Sequence, residues 1–144
     1  MDIYVIKVVP EPQKKTRFAN RGGRIFTYNP SAKYEESIRK EIKKTIIEYN
    51  SSITPIEAPV FLRINLFLPI PKSTPKKKKM EMLSKRIHHI KKPDVDNLAY
   101  PIVNALKGIL YKDDSQIVEL HASKFYSETP HVEIYIKNLQ EEEL

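Results

Sequence analysis

Two acidic boxes carry the chemistry that this sequence offers: Lys92-Pro93-Asp94-Val95-Asp96-Asn97 and, further along, Lys112-Asp113-Asp114-Ser115-Gln116. Carboxylates beside the most cationic stretch of a chain repel phosphate, unless a divalent cation between them turns repulsion into attraction. The pattern therefore points to metal-assisted cutting of a nucleic-acid backbone. Asp94, Asp96 and Asp114 are three hard oxygen ligands in a chain without cysteine, a donor set suited to Mg²⁺, with Mn²⁺ as the alternative. Such an ion can polarise a phosphate, lower the pKa of an attacking water and stabilise the leaving oxygen. Taken singly, each box reads more simply as a helix cap or a turn, because Asp and Asn are ordinary there. Together, beside a cationic loop, they reverse that preference.

The elements between the boxes set whether the acids can meet. Pro93 biases Lys92 toward extended backbone. If the extension continues, Asp94 and Asp96 point the same way, and Asp96 or Asn97 caps the next helix. That helix is expected between about Asn97 and Lys107, with Gly108 as its stop. It carries the chain roughly 16 Å away, and the six steps from Gly108 to Asp114 can return that distance. The three acids are thus expected to converge.

Upstream, Asp2 to Val9 alternates as a strand, and a basic loop runs from Pro10 to Arg24 with Lys14, Lys15, Arg17, Arg21 and Arg24. Asn29-Pro30 reads as a helix start, and Tyr34, Ile38, Ile42 and Ile46 form the apolar stripe of a helix ending near Asn50. Glu35 with Arg39 and Glu36 with Lys40 would pair on its wet side. Pro59 to Leu68 is a half-buried strand. Met80, Leu83 and Ile87 suggest a short helix under a mobile lysine cluster. Strands at Gln116–Tyr126 and His131–Lys137 look like a hairpin across residues 127–130. The order β-α-β-(short α)-α-β-β predicts one α+β domain over residues 1–144, with helices on a mixed or antiparallel sheet.

Charge names a partner class. The net charge is +7 with a pI near 9.5. Residues 71–92 hold eight lysines and one arginine against the single acid Glu81, a basic segment expected to be free to move, while residues 139–144 form an acidic tail. Such a distribution favours a polyanion. Phe18 and Phe26 in the amino-terminal loop are candidates to stack on bases or wedge a junction. His88 and His89 read as DNA-facing or plain surface residues, and His121 and His131 as sheet-surface residues. No apolar run is long enough for a membrane helix, Met1-Asp2-Ile3-Tyr4 lacks the basic start of a secretory signal, and Gly22-Gly23 lacks the spacing of a nucleotide loop. No membrane and no nucleotide cofactor are expected. The expected location is cytoplasmic, nucleoid-associated or phage-encoded in a bacterial host.

The run Lys92-Pro93-Asp94-Val95-Asp96-Asn97-Leu98, then Asn104-Ala105-Leu106, then Tyr111-Lys112-Asp113-Asp114-Ser115-Gln116-Ile117-Val118 resembles the RusA family of Holliday-junction resolvases. The resemblance implies Mg²⁺-dependent resolution of four-way DNA junctions by a homodimer. It implies Asp94, Asp96 and Asp114 as catalytic acids, with Asp113 and Asn97 beside them. Lys91 and Lys92 would then bind the backbone, with Lys14, Lys15, Arg17, Arg24 and Arg86 as further DNA contacts. Family members often carry a lysine four residues after the second acid, where this chain has Tyr100 followed by Pro101. Lys92, Lys107 and Lys112 are the candidates to replace it. Two rival readings remain: a non-catalytic nucleic-acid-binding module of the same fold, and a general flap or single-strand nuclease.

Overall fold

The computed structural model describes residues 1–49 and 52–140. Its centre is a four-stranded sheet in the order β1 (Asp2–Ile6), β6 (His131–Asn138), β4 (Val60–Pro69) and β5 (Ile117–Ser127). Leu62, Ile64, Leu66 and Leu68 alternate along β4 and are buried, so one face of the strand enters the core as its sequence demands. Val132, Ile134 and Ile136 of β6 and Tyr4 and Ile6 of β1 extend the same apolar layer. Helices α1 (Ala32–Glu48) and α3 (Val95–Leu106) cover it with Ile38, Ile42 and Ile46 from one and Leu98, Ile102, Ala105 and Leu106 from the other. The fold is α+β on a mixed sheet, as expected.

The expected hairpin between the last two strands does not form. β5 pairs with β4 in parallel and β6 pairs with β4 antiparallel, so β4 lies between them. Residues 128–130 step over the end of β4, about two strand spacings or roughly 10 Å, a span that three residues cover. β4 and β5 run parallel because α2 (Lys76–Leu83) and α3 form the crossover between them. The lysine cluster Lys76–Lys79 is the first turn of α2, where Lys79 pairs with Glu128 at 2.8 Å, and Ile87 lies beyond the helix.

Other boundaries shift for local reasons. β1 ends at Ile6 rather than Val9. Ser31 rather than Asn29 takes the N-cap position of α1, and Asn29 instead accepts from the Ser31 amide at 2.9 Å in an Asx turn. The side-chain amide of Asn29 donates to Glu35 at 2.7 Å, which buries Glu35 and takes it away from Arg39; Arg39 pairs with Glu36 at 3.3 Å. The last helical residue is Glu48, and the expected end at Asn50 falls outside the described residues. So do Glu141, Glu142 and Glu143 of the acidic tail.

The basic amino-terminal loop holds structure that its charge concealed. β2 (Arg17–Arg21) and β3 (Arg24–Tyr28) form a separate two-stranded ribbon. Gly22 and Gly23 make its turn with φ of 57° and 82°, the left-handed pair that a two-residue hairpin with native twist requires.

Candidate active site

The first acidic box forms the start of α3, and its extended backbone stops at Asp94. Asp94 is the N-cap, with φ −69° and ψ 146°, and Asp96 already lies in the first helical turn. The helix therefore begins at Val95, and neither Asp96 nor Asn97 caps it. Asp94 makes no side-chain capping bond, so its carboxylate stays free of the backbone. Lys92 holds it instead, its Nζ 2.9 Å from Oδ1 and 3.1 Å from Oδ2. Both acids gain from the unpaired N–H groups and partial positive charge of the helix start. Lys91, Lys92, Asp96 and Asn97 are exposed.

The second box is built around its own flanks. Asp113 caps a single 3₁₀ turn, Asp114–Gln116, and accepts from the Ser115 amide at 3.1 Å and from the Ser115 hydroxyl. Gln116 answers by accepting from the Asp113 amide at 2.8 Å. Its Nε2 donates to Ile56 at 2.7 Å and Ala58 at 2.9 Å, fastening the turn beside the start of β4. The Ser115 bonds, and then the Lys107 ammonium at 3.0 Å, hold the Asp113 carboxyl at about 2. Asp113 is thus occupied structurally, whereas Asp114 is exposed and carries no such bond. Beneath the turn Tyr111 is fully buried and donates to the Val103 carbonyl at 2.6 Å; burial, and then Asp114, push its phenol well above the usual range.

The two boxes sit at opposite ends of α3. Asp94 caps its start, and Lys107, bonded to Asp113, is its C-cap. Twelve helical residues separate those ends by roughly 18 Å. The charge of Asp114 is felt at Lys107, whose pKa rises mainly through its bond to Asp113. Among the described residues no three acids or histidines lie close enough to share a metal ion. Asp94 and Asp96 share the start of α3; within one chain Asp114 lies beyond its other end. Of the lysines proposed to replace the one absent at Tyr100, Lys92 is at the first box, Lys107 is at the second, and Lys112, the first residue of the second box, pairs with Glu57. Tyr100 itself is 57% exposed, one turn beyond Asp96.

Pro101 connects this helix to the basic loop. It lacks the N–H that would bond the carbonyl four residues back, and that carbonyl, on Asn97, accepts from the Gln13 amide at 2.8 Å. The Glu11 amide bonds the Tyr34 hydroxyl at 3.0 Å, and the Lys14 amide bonds Ser31 Oγ at 2.9 Å. Burial raises the Tyr34 phenol to about 12. Lys14 and Lys15 are exposed beside these fixings, close to the start of α3. The ribbon beyond has two faces. Arg17, Arg21 and Arg24 share one with Phe26 and Tyr28, whose rings are 6.4 Å apart, and Phe18 and Ile25 share the other, each 74% exposed.

Arg86 is exposed, and so is His88. His89 packs against Tyr126 with ring centroids 4.7 Å apart and planes tilted by 43°, and burial, then Lys124, lower its pKa. His121 and His131 lie against Phe61 and Phe67 on the sheet surface. The residue that sequence reading passed over is Lys124 in β5, whose Nζ donates to the Lys91 carbonyl at 2.9 Å and the Pro93 carbonyl at 3.0 Å. Its signal was a lysine in phase with Ala122 and Tyr126, and only the pairing with β4 reveals that this phase faces inward.

The family model described as Endodeoxyribonuclease RusA matches residues 7–137. The uncharacterized protein YqaN of Bacillus subtilis (strain 168) is 35% identical over 143 residues, covering 96% of this chain and 99% of that protein.

Proposed function

Since the chain belongs to the RusA endodeoxyribonuclease family, we propose that it is a Mg²⁺-dependent endonuclease that resolves four-way DNA junctions by paired nicks as a homodimer. The observation that carries this reading is the division of the acids between the two ends of α3. A second copy related by a two-fold axis, with its α3 antiparallel to the first, would bring the partner's Asp114 to Asp94 and Asp96. The same operation builds an identical site roughly 18 Å away. Two sites related in this way suit two strands that cross symmetrically.

A hard divalent cation in such a site supplies phosphate polarisation and a more acidic water. The donor set fits it, because every ligand is a carboxylate and phosphate oxygens can complete the shell. Asp94, Asp96 and the partner's Asp114 would hold it. Lys92 neutralises Asp94, and with a cation held there it would be free to bind a DNA phosphate. Lys14 and Lys15, held near α3 through Gln13, with Lys91 and Arg86, bind the backbone on either side. The arginine and aromatic face of the ribbon would follow a groove, and Phe18, exposed on the other face, would wedge the branch point.

The test is a labelled four-way junction, a flap and a linear duplex, each incubated with the protein in Mg²⁺ and in chelator. Symmetric cuts in the junction alone, lost in chelator, are expected. Asp94→Asn and Asp96→Asn should bind the junction without cutting it, and full cutting by either would overturn the assignment. Binding without nicks by the wild type would favour the non-catalytic reading, to which Tyr100 lends its support.

A further inference from the structure

A lysine that enters the buried side of a sheet requires a physical reason. Lys124 lies opposite Leu66, which is fully buried, and its phase along β5 continues in Ala122 and the buried Tyr126. Its stem therefore leaves the sheet on the face that α3 covers. An ammonium drawn partly out of water is costly without acceptors, and the half-buried Lys124 finds two, the carbonyls of Lys91 and Pro93. These residues immediately precede Asp94. Lys91 and Lys92 are exposed, with Lys92 on the Asp94 carboxylate, and the imidazole of His89 feels the Lys124 charge.

We propose that Lys124 is a positioning residue of the acidic site: by bonding the Lys91 and Pro93 carbonyls it sets the direction in which the chain enters α3 at Asp94. An N-cap must hold extended backbone while its carbonyl accepts the first helical bond, here from the Leu98 amide at 3.1 Å. Two peptide planes tied to one rigid strand settle that geometry from outside the helix. The spacing of Asp94 from Asp96 then depends on β5 as well as on α3. A carboxylate pair that is to share an ion tolerates only about 0.5 Å of displacement. None of the three lysines suggested by the acidic boxes acts in this way, since each of them reaches a carboxylate.

The catalytic part of this inference rests on the nuclease reading above; the positional part does not. Lys124→Met keeps the stem and removes the charge and donors, and Lys124→Arg restores them. In hydrogen exchange, the Met variant is expected to speed the Leu98 and Ala99 amides about tenfold or more, with β4 amides unchanged. On saturating junction its kcat should fall about 100-fold with Kd within about threefold, since misplacing a reacting group costs turnover rather than binding. The Arg variant should recover to within about tenfold of wild type. Unchanged exchange at Leu98, or faster exchange throughout the core, would overturn the positioning role. So would full turnover by Lys124→Met beside an active wild type, which leaves the nuclease reading intact. A wild type that never cuts would sink the nuclease reading, and exchange would still decide the position of Asp94.

Discussion

Mixing two dead variants tests whether the acids act across two chains. Asp94→Asn and Asp114→Asn should each be inactive alone, because every site in either homodimer lacks a ligand. In a mixed dimer with sites shared between chains, one site combines both substitutions and the other has none. Equal mixing with free exchange makes about half the dimers mixed, each with one intact site of two, so nicking should return to about a quarter of wild type. The structure sets this expectation: α3 places roughly 18 Å between the boxes, and the reach of Lys107 to Asp113 fixes the second box at the far end. The assay is single-turnover cutting of a junction labelled on opposing strands, with exchange verified by a size difference between variants. Its product should be singly nicked junction, with few resolved duplexes. A mixture as inactive as its parents, after proven exchange, would refute a shared site.

Three further outcomes follow from local geometry. Asp113 is held at about 2 in the fold against an ordinary value of 3.8, so its contribution to stability is present above that ordinary value and is lost as pH falls toward about 2. Asp113→Asn should flatten that acid limb in urea midpoints measured against pH. Pro101→Ala restores the amide that competes for the Asn97 carbonyl; exchange at the Gln13 amide should quicken at least tenfold, and protease cutting within residues 10–24 should rise. Lys15→Ala should weaken junction binding evenly across sequences and reduce the slope of log affinity against log salt by about one, read from a salt titration.

The sequence by itself determined the local chemistry. The stripe Ile38, Ile42 and Ile46, the alternation of β4 and the stop at Gly108 are periodic or steric properties of neighbouring residues, and each appears where its pattern placed it. The two acidic boxes and the basic loop were legible for the same reason. Gly22-Gly23 between residues of strand character also held a hairpin signal, which the surrounding charge obscured. Tertiary structure alone decided the rest. Chain proximity favours β5 beside β6, but the crossover through α2 and α3 lets β4 pair on both sides. That choice gives Lys124 its inward phase and carries it to the backbone before Asp94. Reach along the chain allowed Asp114 to return to Asp94, but a loop is flexible in principle and committed in fact. Gln116 bonded to Ile56 and Ala58, with Asp113 bonded to Lys107, keeps Asp114 at the far end of a stiff helix. Distances in a fold are set by what each segment bonds to, which no count of residues along the chain contains.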